Sequence, residues 1–261
     1  MSNPLHPVGA FGIGLLYYLV RSFRLVGALL KIFWLGFWLS FATLLVTIPI
    51  FISTLFSKKG FFAFQMSRVW AAIVLAATGV RVTIRGKEKV KKGQTYIIIS
   101  NHQSHFDGPA IAQTLGIQFR WVAKKELLNI PVFGHCLHAC GNIFIDRSNR
   151  AAALRSIQSG IESLPKGVGV MFFAEGTRSA NGRLGRFKKG GFSAALQTGL
   201  PILPITVNGS ARALPKKSVV FSSSPIEVIV GDPIEVTGYT HQQIDDLMEK
   251  TRDIIGANLI P

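Results

Sequence analysis

The feature that most constrains this chain is a long stretch without charge near its start. From Ile32 to Ser57 the sequence holds no Asp, Glu, Lys or Arg. As an α-helix rising ~1.5 Å per residue, this stretch would reach about 39 Å, more than the ~30 Å hydrocarbon core of a bilayer. Its length and composition predict a helix in contact with lipid.

Basic residues lie on both sides of that stretch, so charge alone does not set its orientation in a bilayer. They are Arg21, Arg24 and Lys31 before it, and Lys58, Lys59 and Arg68 after it. A second apolar stretch, Phe61 to Val80, is interrupted by Gln65 and Arg68. Two interpretations are open: one helix crosses the bilayer, or a helical pair dips into one leaflet and returns. A helix packed in a soluble core is a third.

Strand-like and helix-like segments alternate from residue 80 onward, which is typical of an α/β domain. The predicted strands are 80–84, 96–100, 119–123, 142–145, 168–173, 201–208, 226–230 and 234–236. The predicted helices are 109–115, 131–140, 151–164, 192–197 and a last helix capped by Thr240 with Gln243 three residues on. We expect an α/β domain over 80–261, with a mixed central sheet flanked by helices, preceded by N-terminal membrane-associated helices over 1–79.

The charge balance predicts an anionic partner. Lys and Arg number 29 against 13 Asp and Glu, a net charge of +16, which favours a lipid headgroup surface or a phosphorylated substrate. No recognition-helix or zinc-finger pattern is present, so we expect no nucleic-acid partner. The two cysteines, Cys136 and Cys140, imply no disulfide framework. With His135 and His138 beside them, they are either packed helix residues or a metal cluster.

The turn after the predicted strand 96–100 carries the residues best suited to catalysis. On a continuous helix His102 and Asp107 would lie ~140° apart, but the Gly-Pro pair that follows marks a helix start. In a turn before a helix the two side chains can meet, and an imidazole held by a carboxylate is the usual general base near neutral pH. A polar cap, or a metal site that also uses His105, is the alternative, although the spacing matches no zinc signature.

Cationic side chains follow two other predicted strands. Arg147 stands after the strand 142–145, and Arg178 stands after the strand 168–173. Arginine can grip a phosphate with two parallel hydrogen bonds. Each arginine could instead be a solvated surface cation, and Glu175 could pair with an arginine rather than contact a substrate. Two arginines at strand ends near a His-Asp turn predict a shared anion-binding pocket.

Ordered blocks of this sequence resemble the glycerolipid acyltransferase family. They are Asn101-His102-x-x-x-x-Asp107, Gly141-x-Ile143-Phe144-Ile145-Asp146-Arg147, Phe173-x-Glu175-Gly176-Thr177-Arg178 and Leu203-Pro204-Ile205. The segments Lys124-Lys125-Glu126-Leu127 and Phe187-Lys188-x-Gly190 are also similar to the family. One departure is Ala174, where the family usually has proline. This change is expected to loosen the turn without removing a reactive group.

The resemblance implies a mechanism and a set of site residues. His102 would be the general base that takes the proton from the free hydroxyl of a lysophospholipid, and Asp107 would orient the imidazole. The hydroxyl would then attack the carbonyl of an acyl thioester, either acyl-CoA or acyl-carrier protein. No acyl-enzyme, metal or cofactor is implied. The residues expected to bind substrate are Glu175, Gly176, Thr177 and Arg178, which the resemblance places at the acceptor, with Arg147 nearby, and Lys124 and Lys188.

The implied activity is acyl transfer to 1-acyl-glycerol-3-phosphate, which gives phosphatidic acid. The same chemistry on another lysolipid, such as a lyso-aminolipid, is an alternative. A non-catalytic protein that binds lipid surfaces is another. The expected partners are membrane lipids and the acyl donor, and the expected location is the cell membrane with the catalytic domain on the cytoplasmic face.

Overall fold

The structure is a computed structural model that describes residues 7–56, 60–146, 148–179 and 182–260. The α-helices are α1 (Pro7–Phe56), α2 (Phe61–Ala77), α3 (Asp107–Thr114), α4 (Phe133–Ala139), α5 (Arg150–Glu162), α6 (Gly190–Thr198), α7 (Ser210–Ala213) and α8 (Ile244–Ala257). The strands are β1 (Val82–Arg85), β2 (Ile97–Ser100), β3 (Phe119–Lys124), β4 (Ile143–Ile145), β5 (Gly169–Phe173), β6 (Ile202–Asn208) and β7 (Ile226–Val230). Short 3-10 helices occur at Lys87–Lys89, Lys125–Asn129 and His241–Gln243.

The strands form one mixed sheet in the order β1-β7-β6-β2-β5-β3-β4. β6 and β7 pair antiparallel, and the other neighbouring strands pair in parallel, so the predicted mixed sheet is confirmed. β2 is buried along its whole length, as expected of a parallel strand covered on both faces. Its carboxyl end lies between those of β5 and β6, so residues that follow these three strands meet at one edge of the sheet.

Helices cover both faces of the sheet because side chains along a strand alternate between faces. Ile98 belongs to a core that also includes buried residues of α2 and α3. Its neighbours Ile97 and Ile99 belong to a second core with buried residues of α5, α6 and α8. Both faces of the domain are therefore closed, and polar chemistry is left to the strand ends.

The long helix α1 buries one stripe and exposes the rest. Leu35, Ala42, Val46 and Ile50 are buried and recur at the spacing of one helix face, and the last two pack against α2 and α4. Most other large apolar side chains between Tyr17 and Phe56 are exposed. Among the described residues, Tyr17–Phe56 is the one helix whose length and composition would suffice to cross a membrane.

The structure departs from the predicted elements in a few places. The strand predicted over 234–236 is wrong: Ile234 makes only a single antiparallel bridge to Ile202. Antiparallel pairing would place residues 235 and 236 opposite residues 201 and 200, which precede the start of β6 at Ile202. The helix predicted over 131–140 begins only at Phe133, after Val132 with a φ of 62°. The helix predicted from Pro109 begins two residues earlier. The capping box that begins at Thr240 is confirmed.

Two isoleucines of α1 test the packing of its buried stripe. Ile50 is 1% exposed and Ile48 is 67% exposed. In detergent solution we expect I50A to lower the free energy of unfolding by about 2–5 kcal/mol, since it opens a cavity. We expect I48A to change it by less than about 0.5 kcal/mol. Equal effects of the two substitutions in denaturant titrations would contradict the packing described for α1.

Candidate active site

The imidazole of His102 and the carboxylate of Asp107 are in direct contact after β2. Nδ1 of His102 lies 2.7 Å from Oδ2 of Asp107, and the Asp107 side chain is fully buried. The same Oδ2 accepts the backbone N–H of Gln103 at 2.7 Å and of Ser104 at 2.9 Å. An ionised carboxylate only accepts hydrogen bonds, so Nδ1 donates here and Nε2 keeps the lone pair of a base.

Polar side chains fix this turn to the neighbouring strand β6 and the segment after it. The Asn101 amide donates to the C=O of Val207 at 2.9 Å, and its Oδ1 accepts the N–H of Val207 at 2.8 Å. The hydroxyl of Ser104 donates to the C=O of Leu214 at 2.8 Å. Asp107 is the first residue of α3, where the helix dipole favours a negative charge. These hydrogen bonds thus fix the position of the turn that carries His102 and Asp107.

An aromatic ring covers one face of the His102 imidazole. The centroids of His102 and Phe173 are 3.8 Å apart with an interplanar angle of 11°. Phe173 stacks in turn near Trp121, at 5.4 Å and 21°. This contact follows from the register of the sheet, because Ser100 of β2 pairs with Phe173 of β5. The ring is therefore held by a carboxylate at its edge and an aromatic side chain on its face.

The turn after β5 brings Glu175 beside His102. Glu175 is buried, and its Oε1 accepts the backbone N–H of His102 at 3.1 Å. Gly176 adopts a positive φ of 69°, a conformation that favours glycine. The N–H of Ala174 donates to the C=O of Ser100 at 2.9 Å. Proline has no N–H and could not make this bond. Ala174 therefore attaches the turn to β2, whereas the sequence predicted that alanine in place of proline would loosen the turn.

Two cationic residues, Arg178 and Lys188, belong to this turn or contact it. Thr177 is exposed and Arg178 is half-buried. The N–H of Lys188 donates to the C=O of Ala174 at 2.7 Å. Its Cγ lies 3.5 Å from the position that a Cβ on Gly176 would occupy. Glu175, Gly176, Thr177, Arg178 and Lys188 are therefore gathered in one place.

The other two predicted substrate-binding residues lie elsewhere along the sheet edge or outside the described chain. Lys124 is exposed at the carboxyl end of β3, the strand beyond β5 when counted from β2. Arg147 lies outside the described residues. Lys124 therefore shares the sheet edge with the His102 turn but stands two strands away from it.

A second histidine, His105, stands in the turn between His102 and Asp107. Partial burial lowers the pKa of His105 below its ordinary value of 6.5, and the positive charge of Arg178 adds to this effect, as does a proton on both nitrogens of His102. Asp107 acts in the opposite sense. His105 therefore favours its neutral form near pH 7 and leaves Arg178 as the stronger positive charge of the two.

Two contacts of the site were not predicted from the sequence. The ammonium of Lys216 donates to the backbone C=O of Arg178 at 2.5 Å. Lys216 follows β6 and α7, so no local spacing links it to Arg178. The second contact is that of Phe173, which begins the block that contains Glu175 and Arg178, but the sequence predicted no role for it. An aromatic residue at a strand end, next to an exposed loop, is the signal that could have identified it.

The metal-site alternatives find little support in the geometry of the described residues. Among the residues that the structure describes, no three His, Cys, Asp or Glu side chains are grouped so that they could hold a metal ion. Cys136 and Cys140 are buried free thiols. Burial raises the pKa of Cys140 to about 12. A thiol that ionises so rarely is a poor nucleophile.

Comparison with known proteins identifies a family. A sequence model described as "Acyltransferase" matches residues 81–208, which include the His102 turn and the Glu175 turn. A 1-acyl-sn-glycerol-3-phosphate acyltransferase of Saccharomyces cerevisiae is 31% identical over 244 residues, which cover 92% of this chain and 77% of the relative.

Other similar proteins carry related names. A 1-acyl-sn-glycerol-3-phosphate acyltransferase of Limnanthes alba is 37% identical over 72% of this chain, and the chain spans 66% of that relative's length. The crystal structure of PlsC, the 1-acyl-sn-glycerophosphate (LPA) acyltransferase of Thermotoga maritima, has a TM-score of 0.78 at 22% identity. The match covers 90% of this chain and 96% of that one, so the two proteins share a fold.

Proposed function

The chain belongs to the acyltransferase family, and we propose that it transfers a fatty acyl group from an acyl thioester to the free hydroxyl of 1-acyl-glycerol-3-phosphate. The donor would be acyl-CoA or acyl-carrier protein, and the product would be phosphatidic acid. The observation that carries the proposal is the hydrogen bond between Nδ1 of His102 and Oδ2 of Asp107, beside a turn rich in cations.

His102 acts as the general base of the reaction. Its Nε2 takes the proton from the acceptor hydroxyl while the hydroxyl oxygen forms a bond to the thioester carbonyl carbon. The carbon–sulfur bond then breaks, and the leaving thiolate takes the proton back from the imidazolium. Asp107 stabilises that imidazolium and holds the ring in place. No protein nucleophile is needed, which agrees with the suppressed ionisation of Cys140.

The acceptor phosphate binds at the turn that carries Arg178. Arginine can donate two parallel hydrogen bonds to a phosphate, and the stem of Lys188 passes beside the same turn. Glu175 is buried and accepts backbone N–H groups, so its contribution is to hold this turn rather than to touch the phosphate. The phosphate would thus lie on cations that are anchored next to His102.

The enzyme works at the cell membrane, with the α/β domain on the cytoplasmic face. The exposed apolar side chains of α1 support contact with lipid. The buried stripe of α1 packs against α2 and α4, so a crossing by the uncharged stretch would carry these elements into the hydrocarbon. We therefore favour the arrangement in which α1 and α2 enter one leaflet.

Substitution of the dyad should remove turnover. We expect H102A to lower kcat about a thousandfold, since the general base is lost, and D107N to lower it by about 10²–10⁴-fold because the imidazole loses its charged partner. The assay is steady-state acyl transfer to lysophosphatidate. H138A, an exposed histidine on α4, is the matched control and should keep native activity. A native rate for H102A would exclude the general-base role.

Substitution of Arg178 tests the acceptor. We expect R178Q to raise the KM for lysophosphatidate about 10- to 100-fold, the range for loss of a charge-assisted hydrogen bond, with the KM for the acyl donor unchanged. R155Q removes an exposed arginine of α5 and should change neither constant.

Equal turnover of a lysolipid without the headgroup phosphate would instead favour another acceptor. Liposome binding without any acyl transfer would favour a non-catalytic lipid-surface protein.

Labelling of engineered thiols tests the membrane arrangement. Tyr17 and Val219 are 62% and 61% exposed, so Y17C and V219C should both react with a membrane-impermeant maleimide. In sealed vesicles with the cytoplasmic face outward, we expect both thiols to be labelled from outside, since α1 enters the leaflet and α2 returns the chain to the same side. Labelling of Y17C only after the vesicles are opened would show a crossing helix. Labelling of V219C only after opening would place the domain on the other face.

A further inference from the structure

An arginine of the last helix reaches the loop before α6. The guanidinium of Arg252, on α8, donates to the C=O of Gly185, and a second nitrogen donates to the C=O of Leu184 at 3.0 Å. The guanidinium also lies over the ring of Phe187, 5.5 Å from its centroid. A planar group with several donors can hold adjacent carbonyls in this way, which a lysine cannot do.

The peptide group held by Arg252 is also held by Glu175. The Leu184 C=O accepts from Arg252, and the Gly185 N–H of the same peptide group donates to Oε2 of Glu175 at 2.8 Å. The other carboxylate oxygen of Glu175 accepts the backbone N–H of His102 at 3.1 Å. One chain of hydrogen bonds therefore runs from α8 to the backbone of the proposed general base. Groups linked in series polarise and strengthen one another.

Close approach at this point depends on glycine. A Cβ on Gly185 would lie 2.7 Å from Oε2 of Glu175, a distance that real Cβ atoms essentially never show. A side chain at residue 185 would push this carboxylate oxygen away from the Gly185 N–H that it accepts.

The helix that carries Arg252 is fixed in position by its packing against the domain. Leu247, Thr251 and Ile255 of α8 are fully buried, so the helix is packed against the domain. Lys189, at the start of α6, pairs with Asp245 of α8 at 2.8 Å. The loop between Leu184 and Lys189 is thus attached to α8 at both ends.

We propose that Arg252 is a positioning residue for acceptor binding. It acts through the Leu184–Gly185 peptide group, which holds Lys188 at the turn of Gly176 and Arg178 and braces Glu175 against His102. The proposal rests on the function proposed above. It adds a residue outside the ordered motif blocks, on a helix that contributes no group to the reaction.

The test compares Arg252→Met with the native protein. Methionine keeps much of the length and packing over Phe187 but removes every donor. We expect R252M to raise the KM for lysophosphatidate about tenfold, the effect of losing a hydrogen bond that involves a charged group. The KM for the acyl donor should change less than about twofold. A purely structural role would lower the thermal midpoint and the active fraction but not the KM for one substrate.

Matched variants complete the test. K250M removes an exposed cation of the same helix that lies near Tyr239, and it should leave both KM values unchanged. R252K, which keeps the charge without the planar fork, should give an intermediate KM and serves if R252M does not fold. In a K188M background, R252M should raise the KM for lysophosphatidate only slightly further, since both residues act through the same loop. An unchanged acceptor KM in R252M and R252K, or full additivity with K188M, would overturn the proposal.

Hydrogen exchange separates this proposal from the proposed function. In R252M the amides of Gly185 and His102 should exchange at least about tenfold faster than in the native protein, while core amides of β2 stay protected. This readout needs no substrate. Failure of the native protein to acylate any lysolipid would overturn the proposed function but not the positioning role of Arg252. Unchanged exchange at Gly185 and His102 in an active R252M enzyme would overturn the positioning role but not the proposed function.

Discussion

Oδ2 of Asp107 is the atom on which the geometry of this site depends. It accepts hydrogen bonds from Nδ1 of His102 and from the backbone N–H groups of Gln103 and Ser104. The two backbone bonds close the turn, and the third orients the imidazole within it. Because Asp107 is buried at the start of α3, its charge is stabilised by fixed N–H groups and the helix dipole rather than by water.

The sheet supplies the second constraint by placing two strand ends side by side. Ser100 and Phe173 are register partners on parallel strands, so the chains that leave them carry His102 and Glu175 into contact. Gly176 then turns the chain with a positive φ, and the stem of Lys188 passes beside it. The proposed base and the cations that would hold a phosphate are thus parts of one backbone arrangement, and Arg252 hydrogen-bonds to the loop beside them.

Local patterns in the sequence predict much of this arrangement, and long-range contacts do not. The α/β alternation, the His102–Asp107 turn and the cluster around Arg178 follow from strand ends, a helix start and charged residues that are close in the chain. The contacts of Lys216 with Arg178 and of Arg252 with Gly185 join residues 38 and 67 positions apart. The sequence around each of these residues gives no sign of its partner. Residues 234–236 do not form a strand because β6 begins at Ile202, the partner of Ile234, and alternation along the chain does not show where a distant partner strand begins.

The contact with Asp107 should hold His102 in the form with a proton on Nδ1 and a free lone pair on Nε2. The most direct measurement is ¹⁵N NMR of imidazole-labelled protein, with the His102 signals assigned from H102A. Near neutral pH we predict that Nδ1 is protonated, that Nε2 is not, and that D107N loses this preference. A ring protonated on Nε2, or a His102 spectrum that D107N leaves unchanged, would contradict the claim.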